Sequence, residues 1–146
     1  MRQAPHQIEL KVSSDPRWLR LVRAMMQEVS RQAGFGDAER CDITIAVDEA
    51  LSNVIKHSYK GDYGRPVWLT CATEGDRLSI EIRDVGDAPD PKRLEPLPPE
   101  QVRPGGRGIF LMRSTMDEVQ FERNGDTNLV RLSKYRKTRS PLQYSD

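Results

Sequence analysis

The sequence predicts an α+β fold: a two-layer α/β sandwich in which a mostly antiparallel mixed sheet is covered by helices on one face. Three observations point there. Two helical stripes follow one another between a first strand and the next, so strands and helices come in blocks without strict alternation. Val67, Leu69 and Cys71, then Leu78, Ile80 and Ile82, alternate with polar residues on either side of Glu74-Gly75-Asp76-Arg77. That is a hairpin with one face buried and one solvated. Near the end, Val119 and Phe121 precede Asn124-Gly125-Asp126, which turns into a last strand carrying Val130 and Leu132.

The elements follow in order. Ile8, Leu10 and Val12 alternate with polar neighbours, a short first strand. Ser14-Asp15-Pro16 is a helix start, a capping side chain with proline in the first turn. Trp18, Val22, Met25, Met26 and Val29 then recur at helical spacing and face a core. Gly34-Phe35-Gly36 closes that helix. A second helix is expected from Asp37 to Ser58, with Ile43, Val47, Ala50, Leu51 and Val54 as its apolar stripe. At about 100° per residue, Asp42, Ala46, Glu49, Asn53, Lys56 and His57 fall on the flank adjoining that stripe. The polar set therefore borders the core as the wall of a pocket would, and small Ala46 leaves room there for a ligand. Gly61-Asp62-Tyr63-Gly64 is a turn. From Asp84 to Arg107 the chain is rich in proline and poor in apolar residues. Loops this long act as lids or binding loops in compact domains. Gly108-Ile109-Phe110-Leu111-Met112 opens a helix that ends near Thr115.

The chain has 146 residues, 36% hydrophobic and 31% charged, which fits one domain spanning 1–146 with a real core. Residues 85–107 are assigned as a lid loop and the basic stretch 136–146 as a flexible tail. A net charge of +1 gives no footprint for nucleic acid or a membrane surface. No apolar run approaches the roughly 20 residues of a membrane helix, and no signal peptide opens the chain. Cys41 and Cys71 lack metal spacing and read as reduced core residues of a cytoplasmic protein.

Three segments carry candidate chemistry. Glu49 and Asn53 lie four residues apart and share a helix face. A carboxamide oxygen suits a hard cation such as Mg²⁺, and a carboxylate one turn away can accept a proton or orient a water. Asp84 ends a strand and is followed by Val85-Gly86. A carboxylate there can accept from an exocyclic amine such as adenine presents, and glycine lets backbone approach a planar base. Gly105-Gly106-Arg107-Gly108 precedes an apolar helix, whose N-terminal N–H groups favour phosphate. His57 can touch a phosphate or stabilise the end of its helix. Each segment alone is common; their company is what counts. There is no G-x-S-x-G, no H-E-x-x-H, no paired CxxC and no Walker A lysine.

In order and spacing the three segments resemble the GHKL ATPase superfamily, with its Bergerat ATP-binding fold. Glu49-Ala50-Leu51-Ser52-Asn53-Val54-Ile55-Lys56-His57 resembles its N-box, Asp84-Val85-Gly86 its G1 box, and Gly106-Arg107-Gly108 its G2 box. Within it, the stretch GGRGIFLM followed by Met116-Asp117-Glu118-Val119 is most similar to bacterial anti-sigma-factor serine/threonine kinases of the RsbW type. The resemblance covers roughly residues 8–135. It implies ATP and Mg²⁺ as cofactors, with Glu49 as general base and Asn53 as Mg²⁺ ligand. It implies Asp84 on the adenine amine with Gly86 beside the base, and contributions from Lys56 and His57 in the N-box. Gly105, Gly106, Arg107 and Gly108 would meet phosphates, with Arg103 or Arg107 neutralising developing charge. As partners it implies an anti-anti-sigma STAS-domain protein as phosphoryl acceptor, a sigma factor, and a second copy of the chain in a homodimer.

The sequence departs from the pattern in two places. The last position of the D-x-G-x-G box is Ala88, and where a Gly-Thr pair precedes the final strand the chain reads Gly125-Asp126-Thr127-Asn128. Either Thr127 or Asn128 stands in for the threonine. Three other readings stay open: a nucleotide-gated binding module that transfers nothing, the catalytic half of a histidine kinase, and a nucleotide-free interaction domain.

Overall fold

A computed structural model describes residues 6–96, 98–101 and 107–137, with the backbone alone for Arg107. The strands are β1 (His6–Ser13), β2 (Pro66–Glu74), β3 (Arg77–Asp84), β4 (Glu118–Asn124) and β5 (Thr127–Tyr135). The α-helices are α1 (Leu19–Gln32), α2 (Asp37–Asn53), the short α3 (Pro91–Leu94) and α4 (Arg107–Thr115). The sheet order is β1-β2-β3-β5-β4, and every ladder is antiparallel. Two tight hairpins explain most of it. Gly75, at φ +61°, and Gly125, at φ +60°, take the left-handed backbone that two-residue hairpin loops demand. Connections β2–β3 and β4–β5 follow locally, and β5 inserts between β3 and β4.

The period-2 alternation sends Val67, Leu69 and Cys71, then Leu78, Ile80 and Ile82, then Val130 and Leu132 to one face. There they meet Val22 and Met26 of α1, Ile43, Val47, Ala50 and Leu51 of α2, and Ile109 and Met112 of α4. The helices thus cover a single face, as expected. Helix α2 is central and packs against both α1 and α4.

Four expectations are corrected. Trp18 does not join the α1 stripe. Asp15 accepts from the Arg17 N–H and caps a 3₁₀ turn over Pro16–Trp18 before α1 begins. The tighter turn rotates Trp18 outward, where its indole donates to Ser13 Oγ at 3.1 Å. Ala46 opens no space for a ligand: it is fully buried, because a helix flanked on two sides buries a wider arc than a surface helix. Cys41 is exposed on α2, whereas Cys71 is buried against Met26. Burial pushes the Cys71 thiol up to about 11. Finally, α2 does not run as one α-helix to Ser58. It ends at Asn53 and continues as a π-helical turn, Val54–Ser58, whose signature is the Tyr59 N–H bond to the Val54 carbonyl at 2.9 Å.

The lid assigned to 85–107 contains α3 and a 3₁₀ turn at Pro99–Gln101; residues 102–106 lie outside the described residues. At the start of the assigned tail, the Arg136 N–H donates to the Asp76 carbonyl at 2.7 Å and its guanidinium packs on Gly34. Residues 138–146 lie outside the described residues. Among the described residues no helix is long and apolar enough to cross a membrane.

Candidate functional site

The end of α2, the start of α4, the β3–α3 loop and the near ends of β4 and β5 enclose a cavity of about 260 Å³. Its apolar wall includes Val54, Ile109, Met112, Leu94 and Phe121, and its polar groups include Asn53, His57, Asp84 and Asn128. A mostly apolar cleft with a few convergent polar groups is the usual form of a small-molecule site.

Glu49 and Asn53 reach this region from successive turns of α2. The decisive contact is with Gly108 in the first turn of α4. A side chain on Gly108 would put its Cβ 2.6 Å from Glu49 Oε2 and 3.7 Å from Asn53 Oδ1. The N-terminal turn of α4 therefore lies directly on the two oxygen-bearing side chains, and any side chain at 108 would displace the Glu49 carboxylate. The first N–H groups of a helix lack intrahelical partners and favour anions. An anion held there would find oxygen ligands for a hard cation beside it. Among the described residues no cluster of three His, Cys, Asp or Glu offers a complete metal site. A cation at Asn53 would draw its other ligands from the bound anion and water.

At the opposite end, Asp84 is buried at 3% exposure. Its Oδ1 accepts from the Gly86 N–H at 2.9 Å and from Asn128 Nδ2 at 2.9 Å. Its Oδ2 has Ser58 Oγ at 3.4 Å. A buried carboxylate is costly unless it is hydrogen-bonded, and here the partners are supplied by backbone and an amide. Gly86 is held by a close approach: a Cβ there would stand 2.6 Å from the Ser58 carbonyl carbon and closer still to its oxygen. The next residue, Asp87, donates its N–H to that same oxygen at 2.8 Å.

Cations gather at the mouth. His57, Lys60 and Arg93 line it, alongside Asp87, Asp90 and Glu122. Partial burial holds His57 below the ordinary histidine pKa, with Arg93 and then Lys56 adding repulsion. Lys60 is paired with Asp87 at 3.1 Å.

A profile of the histidine kinase-like ATPase domain matches residues 12–134. The chain belongs to that family. Among similar proteins, the serine-protein kinase RsbW of Bacillus licheniformis is 33% identical over 130 residues, covering 84% of this chain and 81% of that protein. The RsbW of Bacillus subtilis is 32% identical over 143 residues, covering 92% and 89%. The crystal structure of the RsbU and RsbW domains of Rv1364c from Mycobacterium tuberculosis superposes with a TM-score of 0.67 at 17% identity. It covers 89% of this chain and 32% of that longer one. The histidine kinase domain of a blue-light activated kinase from Erythrobacter litoralis gives 0.53 at 16%, covering 85% and 61%. These two likenesses concern the fold.

For this ATPase-family chain, the structure brings Asn53, His57, Asp84 and Asn128 to one cavity, with Glu49 and Gly108 at its edge and Gly86 beneath Asp84. Lys56 is exposed and off the cavity wall, and Thr127 bonds Asp126. Between the two candidates left open at the last strand, Asn128 is the one that meets Asp84, its cross-strand partner. Gly105 and Gly106, and Arg103, fall outside the described residues, as does the Arg107 side chain. Two residues carry more than their sequence suggests. Arg93 of α3 reaches the cavity mouth. Arg123 shares the inward parity of Val119 and Phe121 on β4, and a charge on the inward parity of a strand was the available signal.

Proposed function

We propose that this chain is a Mg-ATP-dependent serine/threonine protein kinase that phosphorylates an anti-anti-sigma STAS-domain partner and thereby controls a sigma factor. The observation that carries the reading is the seat of Gly108 on Glu49 and Asn53, at the edge of a cavity with buried Asp84 at its far end. The spacing supports a nucleotide laid between them, base toward Asp84 and phosphates toward the first turn of α4. The relatives named as serine-protein kinases support a protein serine as the acceptor.

The roles follow from chemistry. Asp84 Oδ2 accepts from the adenine amine, and Gly86 keeps that carboxylate in place. Asn53 would hold Mg²⁺ through its side-chain oxygen, and the bound ion would supply charge neutralisation for phosphoryl transfer. Glu49 takes the proton from the acceptor hydroxyl. Gly108 meets the phosphates, Gly105, Gly106 and Arg107 are proposed to join it there, His57 offers a ring N–H, and Arg93 adds positive potential. Residues 85–107 form the lid over the nucleotide; at its described end, the Leu94 carbonyl accepts from Arg113 at 2.7 Å. Sigma-factor sequestration and homodimerisation belong to the same proposal.

The test is incubation with labelled ATP and the cognate STAS protein, for the native chain and for Glu49→Gln. A positioned general base contributes about 10²–10⁴-fold, so Glu49→Gln should lose transfer on that scale and keep nucleotide affinity. Nucleotide binding without transfer by the native chain would refute the kinase role. Unchanged transfer in Glu49→Gln would remove Glu49 as base. Co-purification with the sigma factor and sedimentation of the free chain test the remaining partners.

A further inference from the structure

Asp84, Asn128 and Arg123 stand in one row across three strands: Asp84 of β3 pairs with Asn128 of β5, which pairs with Arg123 of β4. Their side chains are joined in the same order. Arg123 Nη1 donates to Asn128 Oδ1 at 2.9 Å, and Asn128 Nδ2 donates to Asp84 Oδ1 at 2.9 Å. The same Nη1 donates to the Gly86 carbonyl at 2.8 Å, and Asn128 Nδ2 also donates to the Asp87 carbonyl at 2.9 Å. Arg123 Nε donates to the Gly125 carbonyl at 2.9 Å, which fixes the guanidinium from its other side.

An amide has one accepting end and one donating end, whereas a guanidinium only donates. Arg123 on one side, and Asp84 with the Asp87 carbonyl on the other, demand the same orientation of Asn128. The accepting oxygen must point to Arg123, and the donating nitrogen must point to Asp84. With the amide reversed, its oxygen would face a carboxylate and a carbonyl, and its NH₂ would face a cation. The consequence falls on Asp84. Oδ1 is filled by Asn128 and Gly86, so Oδ2, which takes only a long 3.4 Å bond from Ser58 Oγ, is the oxygen left to recognise a ligand in the cavity.

We infer that Arg123 is a positioning residue for base recognition: from outside the cavity wall, it orders Asn128, and Asn128 presents Asp84 Oδ2 to the purine 6-amino group. The inference rests on the reading of Asp84 as the base-recognising carboxylate. Arg123 touches no nucleotide. Its removal leaves Asn128 held only through its NH₂ group, which loosens the presentation of Asp84 and lowers affinity through the base amine and not through the phosphates.

The experiment is titration of the full chain with Mg-ATP and with the triphosphate of purine riboside, which lacks only the 6-amino group. The native chain should prefer ATP. In Arg123→Met, ATP affinity should fall about tenfold, the scale of one hydrogen bond to a charged group. Affinity for the deamino analogue should change less than threefold, so the preference collapses. Arg123→Lys keeps a charged donor and should restore part of it. Should Arg123→Met fail to fold, Arg123→Gln, with its neutral donor, carries the same comparison. Arg31→Met, which breaks the ion pair to Glu28 on α1 away from the cavity, should leave the preference intact. An equal fall for both nucleotides in the Arg123 variants, or an undiminished preference for ATP, overturns the inference and leaves the kinase reading standing. A native chain that binds neither nucleotide overturns both.

Discussion

Replacing Gly86 by alanine tests whether the turn after β3 is fixed by steric fit or merely tolerates glycine. Its φ lies outside the left-handed region, so conformational freedom is not the issue. The issue is space. The added Cβ would stand 2.6 Å from the Ser58 carbonyl carbon and 2.8 Å from Ser58 Cβ, where ordinary contacts begin at 3.4 Å. Relieving the carbonyl carbon alone takes a retreat of about 0.8 Å, the nearer carbonyl oxygen takes more, and the segments that must move are backbone. Overpacking a tight site costs about 1–3 kcal/mol. The retreat also stretches the Asp87 N–H bond to the Ser58 carbonyl, worth about 0.5–1.5 kcal/mol. Together these give about 1.5–4.5 kcal/mol, below the total of about 5–15 kcal/mol for a domain, so the chain still folds. At about 2–4 °C per kcal/mol, the melting temperature should drop by roughly 3–18 °C.

The same retreat moves the Gly86 N–H that bonds Asp84 Oδ1, so Mg-ATP affinity should fall by about tenfold or more, the scale of a hydrogen bond to a charged group. Thermal unfolding by circular dichroism and calorimetric titration read the two effects. Gly64→Ala is the control, because its Cβ would meet nothing closer than Asp62 Oδ1 at 3.8 Å. If Gly86→Ala melts with Gly64→Ala and binds as the native chain does, the steric account of this turn is wrong.

Two further outcomes follow from the titratable groups. His57 has a folded pKa below its unfolded value of about 6.5, because burial first, then Arg93 and Lys56, disfavour its cation. Below pH 6.5 the unfolded chain therefore binds more protons than the folded one, and stability falls as pH falls through that value. Urea midpoints between pH 7.5 and 5.5 should drop less steeply for His57→Gln than for the native chain; parallel curves would exclude His57 as a contributor. The thiols should separate cleanly. With Cys71 buried and raised to about 11, and Cys41 exposed, a thiol reagent at pH 8 should modify one cysteine per native chain and two in denaturant. Mass spectrometry locating the native adduct on Cys71 would contradict the packing.

Much of the fold was legible because the local signals agreed. The two hairpins carry both alternation and left-handed glycines, and the α2 stripe from Ile43 to Val54 is buried residue for residue. What was not legible depends on how elements meet. A wheel assigns Ala46 to a flank, but only the presence of α1 and α4 on either side turns that flank into core. The helix start at Ser14-Asp15-Pro16 is readable, yet nothing in it specifies the one 3₁₀ turn that throws Trp18 outward. For the site, Glu49, Asn53 and Asp84 announce themselves by residue type and spacing. Arg123 does not, since its partners Asn128 and Gly86 lie in other elements and are brought to it by register. Nor could sequence choose between Thr127 and Asn128. One step along β5 reverses the face, and the pairing of Asn128 with Asp84 settles which side chain points inward.

The two halves of the site are joined by five residues. Asn53 closes α2, and Ser58, at the end of the π-helical turn, has the carbonyl that receives the Asp87 N–H and excludes a side chain from Gly86. The π turn closes an i to i+5 bond, and both His57 and Ser58 line the cavity. It also places Ser58 against the turn that holds Asp84 while Asn53 keeps its α2 position beside Glu49. A helix irregularity without such a role would be a loss of regular hydrogen bonding with no return. Here the widened turn fixes the distance between the carboxylate at one end of the cavity and the carboxamide at the other. The proposed separation of base and phosphate recognition would then be set by the backbone of a single helix end, which no one of the three sequence segments encodes alone.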